Sequence, residues 1–227
     1  MKIVTDENFI PFSKIPRPDD TKKVPDIVKY PDLFSGEIAE KMIKYLSQLH
    51  YSTTQYCIAN KLCTSPRKML WFTDNPNWTY VFSRNHMFGL EANEFPIFLR
   101  CIQFGVQRIT GYKFNACLVN IYESGDDNIA WHDDDDKWLG ESFIVPSVSF
   151  GDVRRFQLRS KQDHKKKFLT YTENGSMIVM RESVQKYWQH NIPKERGRSG
   201  VRFNLTFRNV QPELVDKMPK ARTKCGG

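Results

Sequence analysis

Cysteine is sparse and unpatterned in this chain. Its 227 residues hold five, Cys57, Cys63, Cys101, Cys117 and Cys225. An odd, scattered set with no Cys-x-x-Cys pair argues against a disulfide framework or a zinc knuckle and reads as reduced thiols in an intracellular protein. No uninterrupted apolar run approaches the ~20 residues needed to cross a bilayer, so no membrane helix is expected. The first residues, Met1-Lys-Ile-Val-Thr-Asp-Glu7, lack the apolar core of a secretory leader. No repeat and no shift in composition marks a second domain. Acidic residues fall short of basic ones, 26 against 34, and the net charge of +8 favours a polyanionic partner.

What is present suits one globular domain: 40% hydrophobic and 26% charged residues are ordinary for a soluble chain with a full core. Residues 1–30 are rich in proline and charge and are expected to wrap the surface or stay mobile. A helix is expected from a Ser35 cap to about Leu49, with Ile38, Met42, Tyr45, Leu46 and Leu49 on one stripe. A second opens near Pro96 and stops at Gly111. From Phe114 the texture changes to short strands near 116–122, 143–150, 154–159, 167–172, 176–181, 186–190 and 200–208. Helices followed by many turn-separated strands predict an α+β protein built on a jelly roll, with the helices buttressing one sheet. The single domain is placed at 31–212, and a basic tail follows over 213–227.

The final strand carries the first chemical signal. Val201, Phe203, Leu205 and Phe207 alternate with Arg202, Asn204, Thr206 and Arg208. A strand turns successive side chains to opposite faces, so one face is apolar and the other offers two guanidiniums, an amide and a hydroxyl. That face reads as a receptor for a small dianionic acid, because arginine meets a carboxylate with two parallel donors. The plainer reading is a solvated strand face. Arg202 and Arg208 stand about 20 Å apart on a straight strand at roughly 3.3 Å per residue. Their arms therefore converge, or one of them alone is the clamp.

Upstream lies Trp131-His132-Asp133-Asp134-Asp135-Asp136, and the only later histidines are His164 and His190. His-x-Asp with a remote histidine is the two-His-one-carboxylate set of non-haem Fe(II) oxygenases, which leaves coordination positions open. The competing readings are a solvated acidic loop or a carboxylate-built Ca2+ or Mg2+ site. His164 sits in the charged Lys161–Lys167 segment and reads as an exposed turn, so His190 is the preferred third ligand. In Asn115–Tyr122, Asn120 and Tyr122 share one strand face just before this motif.

Asn120-x-Tyr122, His132-x-Asp134, His190 and Arg202-x-Asn-x-Thr-x-Arg208, in that order, resemble the AlkB family of Fe(II)- and 2-oxoglutarate-dependent dioxygenases. The likeness covers roughly residues 66 to 208 and is nearest to the eukaryotic branch that repairs alkylated DNA. Pro66-Arg-Lys68 and Pro146-Ser-Val-Ser-Phe-Gly151 agree with it. The resemblance implies a double-stranded β-helix core over about 114–209 and a nucleotide-recognition region over about 55–90. It implies Fe(II) on His132, Asp134 and His190. It also implies 2-oxoglutarate on Asn120, Tyr122, Arg202, Asn204, Thr206 and Arg208, with O2 as the second cosubstrate.

By the same likeness, the reaction is oxidative demethylation of N-alkylated DNA bases of the 1-methyladenine and 3-methylcytosine type, releasing formaldehyde, succinate and CO2. The alternatives are the same chemistry on RNA or protein, or a non-catalytic metal-bearing nucleic-acid-binding module. An enzyme of this kind flips the base from the helix and holds it by stacking and edge hydrogen bonds. Phe72 falls where repair relatives carry a stacking tyrosine, Trp71 is its neighbour, and Asp135 or Asp136 matches an acidic residue beside the base. Arg67, Lys68, Arg159, Lys161, Lys165, Lys166 and Lys167 are candidate backbone contacts. Ile58 is a candidate for an intercalating finger, in the stretch Tyr56–Asn60, which has no aromatic at the expected point. A monomer acting on alkylated DNA, nuclear in preference to cytoplasmic, is the expectation.

Overall fold

The computed structural model describes residues 10–58, 61–80, 89–134, 137–140 and 143–217. Its strands are β1 (Ile27–Tyr30), β2 (Ser52–Ile58), β3 (Lys61–Thr73), β4 (Ala92–Asn93), β5 (Ala116–Tyr122), β6 (Ile129–His132), β7 (Ile144–Gly151), β8 (Arg154–Ser160), β9 (Lys167–Thr172), β10 (Met177–Arg181), β11 (Trp188–Ile192) and β12 (Arg202–Arg208). The helices are α1 (Gly36–Leu46), α2 (Ile97–Thr110) and the short α3 (Glu182–Tyr187). Eight strands form one sheet in the order β1-β10-β7-β12-β5-β3-β2, with β4 paired beside β3, and β6-β11-β8-β9 form the second. Every pairing is antiparallel except β3 with β4.

Strand alternation divides the interior into two layers. Phe203, Leu205 and Phe207 of β12, with Cys117, Val119 and Ile121 of β5, pack against Leu99, Ile102, Val106 and Ile109 of α2 and Met42 and Leu46 of α1. The other face of the large sheet turns toward the small one, where Leu118, Val145 and Met180 meet Phe156, Leu158 and Trp188. The site lies in this second layer. The helices form because their apolar residues recur at three- and four-residue spacing along one stripe. Gly111 ends α2 in the left-handed region at φ 77°, its N–H bonded to the Gln107 carbonyl at 2.8 Å. Ser35 does occupy the cap position of α1, although its hydroxyl makes no capping bond.

Residues 10–30 wrap onto the body, one of the two arrangements expected: Phe12 is buried beneath the Arg181 guanidinium at 4.5 Å, and β1 pairs with β10 at the sheet edge. Two features depart from the sequence expectation. The strand expected over 186–190 begins instead as α3 and becomes β11 only at Trp188. Strands β2 and β3 pair along a long antiparallel ladder that alternation did not reveal. Pro66 hides it, yet Pro66 falls in the register shift opposite Thr53 and Gln55, and pairing with β5 starts only at Lys68. A residue without an N–H is tolerated where the ladder is already broken.

Candidate active site and metal centre

Antiparallel register brings the metal candidates together. His190, in the middle of β11, lies directly opposite His132, the last residue of β6. Their ring centroids are 4.2 Å apart, and Asp134 follows in the loop beyond β6 with its Oδ2 3.7 Å from His190 Nε2. One ligand atom from each of the three residues lies within 4.8 Å of the others. His132 Nδ1 bonds the Ala130 carbonyl at 2.8 Å, which orients the ring and leaves Nε2 for a metal. The Asp134 N–H donates to Gln185 Oε1 and its Oδ1 accepts from Arg208 Nη2, each at 2.8 Å. Phe156 stacks on His190 with centroids 5.4 Å apart and shields it. His164 is exposed in the turn between β8 and β9 and joins no part of this cluster.

The electrostatics suit a divalent cation. Burial, and then the neighbouring His190, push the His132 imidazole down to about 3. Burial likewise lowers His190. Burial works against the Asp134 carboxylate, but Arg208 and the two imidazoles outweigh it and hold the group below its ordinary range. At neutral pH the set is therefore two neutral imidazoles and one carboxylate, the state in which these groups bind metal.

This arrangement predicts acid sensitivity of the metal-free protein. Both imidazoles resist protonation in the folded state, whereas the unfolded chain takes protons as pH falls below about 6.5. Their contribution to stability is thus intact above that value and lost progressively toward the folded pKa values. The slope approaches 1.4 kcal/mol per pH unit for each histidine kept neutral. Thermal melts of metal-stripped protein should show a clear fall in Tm from pH 7.5 to pH 5, and a flat profile would contradict the arrangement.

The polar face of β12 forms one wall of the same pocket, with Arg202, Asn204, Thr206 and Arg208 all buried. Thr206 donates to Asn204 Oδ1 at 3.1 Å, and Asn204 donates to Ser147 Oγ at 2.7 Å. The two arginines start from opposite ends of β5, Arg202 facing Tyr122 and Arg208 facing Ala116 in register, and both line the pocket. Arg208 donates from Nη2 to Asp134 and lies over the rings of Tyr80 and Trp138 at 5.3 and 5.9 Å. Arg202 donates from Nη2 to Ser149 Oγ at 2.9 Å and sits 5.0 Å from the centre of the Tyr122 ring. Its Nε and Nη1 have no partner among the described residues, and burial pushes the guanidinium down to about 10. Buried donors of this kind fit a carboxylate, since leaving them unpaired is costly.

Several sequence assignments need correction. Phe72 points to the other face of β3, where it packs on Phe95 at 6.2 Å in the helix-side core, so it does not stack on a base in this pocket. Alternation forbids neighbouring aromatics from sharing a face. Trp71 does point to the pocket side, but it is wholly covered, donating to the Trp78 carbonyl at 2.7 Å and packing on Tyr80 at 4.9 Å. Tyr80, which the sequence reading missed, lines the pocket instead. Asp135 and Asp136, and the side chain of Ile58, lie outside the described residues. Arg67 is no surface phosphate contact: it is buried and donates to Asn120 Oδ1 at 2.8 Å.

Lys161 is also committed inward. It pairs with Asp133 at 2.7 Å and donates to the Gln185 carbonyl at 2.6 Å, tying the β8–β9 turn to the loop that carries Asp134. Lys161→Met removes the ion pair to the buried Asp133 carboxylate and should lower stability by roughly 2 kcal/mol, discounted because Lys161 is partly exposed. Urea melts check this, and Asp133→Asn in the same chain should recover most of the loss. Lys68 meets Glu123 at 2.9 Å on the surface, Arg159 bonds Gln189, and Lys165, Lys166 and Lys167 are exposed. Arg154 was another omission. Fully buried, it donates to the carbonyls of Ser124, Asp127 and Pro193 and thereby pins the loops bordering β6 and β11.

A family model described as the 2OG-Fe(II) oxygenase superfamily matches residues 26–208. The chain is 35% identical over 158 residues to the alpha-ketoglutarate-dependent dioxygenase alkB homolog 3 of Homo sapiens, covering 65% of this chain and 53% of that protein. It therefore spans about half the length of the homolog 3 proteins that it matches. It is 32% identical over 196 residues to the DNA oxidative demethylase ALKBH2 of Mus musculus, covering 81% of this chain and 80% of that one. Among solved structures, OsALKBH1 aligns with a TM-score of 0.59 over 82% of this chain and 98% of that one. Its identity of 17% bears on the fold alone. The family match runs from the residue before β1 to the end of β12 and so takes in every strand that supplies the histidine pair and the arginine face: the chain belongs to the AlkB family of Fe(II)- and 2-oxoglutarate-dependent dioxygenases.

Proposed function

We propose that this chain is an oxidative demethylase of N-alkylated bases in DNA. The observation that carries the chemistry is the single pocket shared by the His132, Asp134 and His190 cluster and the buried, part-unpaired Arg202. On this reading the three ligands hold Fe(II), and Arg202 with Tyr122 takes the far carboxylate of 2-oxoglutarate. Arg208 stands at the metal end, where it steadies Asp134 and attracts the near carboxylate, and Asn120, Asn204 and Thr206 line the length between. Leu118, Phe156 and Ile192 exclude water from the pocket. When bound, Fe(II) with 2-oxoglutarate and O2 supplies the oxidation of an N-methyl group, which leaves as formaldehyde while succinate and CO2 form. The protein's part is geometry and electrostatics.

The DNA substrate is supported by the demethylase relatives and by the net charge of +8. On this reading it is met in the nucleus. Lys165, Lys166 and Lys167, exposed side by side where β9 begins, are the cations assigned to phosphates on this reading. Replacing all three by alanine should flatten the log-log salt dependence of duplex binding by about 0.9 for each phosphate that is no longer neutralised. The deciding experiment measures formaldehyde and succinate on matched single- and double-stranded oligonucleotides carrying 1-methyladenine or 3-methylcytosine. Release of formaldehyde only from methylated RNA or protein would reassign the substrate, and succinate without iron dependence would overturn the chemistry.

A further inference from the structure

The outer face of the small sheet is not used by the pocket, and its composition is unlike that of an ordinary solvated face. Register places Arg155 opposite Tyr171, Gln157 opposite Leu169 and Arg159 opposite Lys167 across β8 and β9. Gln189 of β11 continues the row from Arg159, while Asn191, in register with Gln157, is itself buried. Phe156 and Leu158, the alternate residues of β8, are buried inward, so these rows point outward. Tyr171 is 46% and Leu169 52% exposed. Beyond β11, Trp131 carries the Arg159 guanidinium 4.5 Å from its ring centre, a flat cationic platform next in sequence to His132.

None of the outward residues on β8, β9 and β11 is acidic. Glu195, from the loop after β11, reaches Arg155 at 3.6 Å but is shared with Arg154 and Arg198. Exposed Lys165 and Lys166 extend the positive charge from the β8–β9 turn. Cations, amides and aromatic rings interleaved on an open sheet suit a backbone that is anionic and bases that stack without regard to sequence. Successive outward rows repeat about every 6.6 Å, the scale on which an extended single strand presents its phosphates. An acidic protein would match the charge but gives no role to Tyr171 or the Trp131 platform.

From this juxtaposition we propose that the outer face of β8, β9 and β11, with the Trp131–Arg159 platform, binds a single-stranded stretch of nucleic acid flanking the target base. The proposal rests on the nucleic-acid reading of the pocket and adds a second contact surface to it. Long single strands then gain affinity from this face, while a substrate too short to leave the pocket does not.

The test uses the iron-loaded chain and the double variant Arg155→Gln, Tyr171→Ala. Fluorescence anisotropy reads affinity for an unmethylated single strand of about fifteen nucleotides, and succinate release reads turnover of a methylated trinucleotide. We expect the single-strand Kd to rise about tenfold, trinucleotide turnover to stay within twofold, and Tyr171→Trp to bind as the wild type does. Unchanged single-strand affinity in the double variant would overturn the surface, as would an equal loss of affinity for polyglutamate, which would indicate bare charge. If no nucleic acid is turned over even by the wild type, the demethylase reading fails, while the anisotropy result still decides the surface.

Discussion

His190→Ala is expected to abolish iron-dependent turnover, whereas His164→Ala keeps activity within a few-fold. The difference lies in the register of β11. His190 is held opposite His132 by the sheet ladder, with Asp134 close by and Phe156 stacked on its other side, so its imidazole has one fixed position. Removing it leaves two ligands, too few for a facial set that retains iron while keeping positions open. His164 stands exposed in a turn among lysines and reaches none of these groups. Titration with Co(II) separates the two variants without turnover: His164→Ala should bind as the wild type does, and His190→Ala should lose most of its affinity. Equal loss in both, or full turnover in His190→Ala, would sink the assignment.

Arg202→Lys should raise the KM for 2-oxoglutarate tenfold or more and leave DNA affinity unchanged. A lysine is a compact charge and cannot reproduce the planar fork that Arg202 presents from beneath Ser149 and Tyr122. Arg208→Lys is expected to behave differently. Arg208 holds Asp134 Oδ1 at 2.8 Å, so its loss should weaken metal retention together with cosubstrate binding. Steady-state kinetics with varied 2-oxoglutarate, alongside Co(II) titration, resolves the two patterns. Wild-type KM in Arg202→Lys would count decisively against the proposed clamp, and unchanged Co(II) affinity in Arg208→Lys would remove its link to the metal.

Much of the architecture was legible from periodicity. Helix α2 announced itself by its stripe and its closing glycine, and β5 and β12 by the alternation of their faces. That His132, Asp134 and His190 would cluster, and that Arg202, Asn204, Thr206 and Arg208 would share a face, was legible because the expected chemistry demands particular residue types at particular spacings. The β2–β3 ladder was not, since Pro66 and a register shift break the alternation that betrays a strand.

Charged and aromatic residues outside the motifs were read least well. Arg67 and Lys161 looked like surface cations, yet each ends on a partner from a remote segment, Asn120 in one case and Asp133 with the Gln185 carbonyl in the other. Phe72 was assigned to the pocket and belongs to the helix layer. Local sequence states which side chains share a face, because that follows from the geometry of one strand. Which layer covers a face, and which distant carboxylate or carbonyl meets a given guanidinium or ammonium, depends on how separate strands pair, and that pairing is settled only when the whole chain buries its apolar surface together.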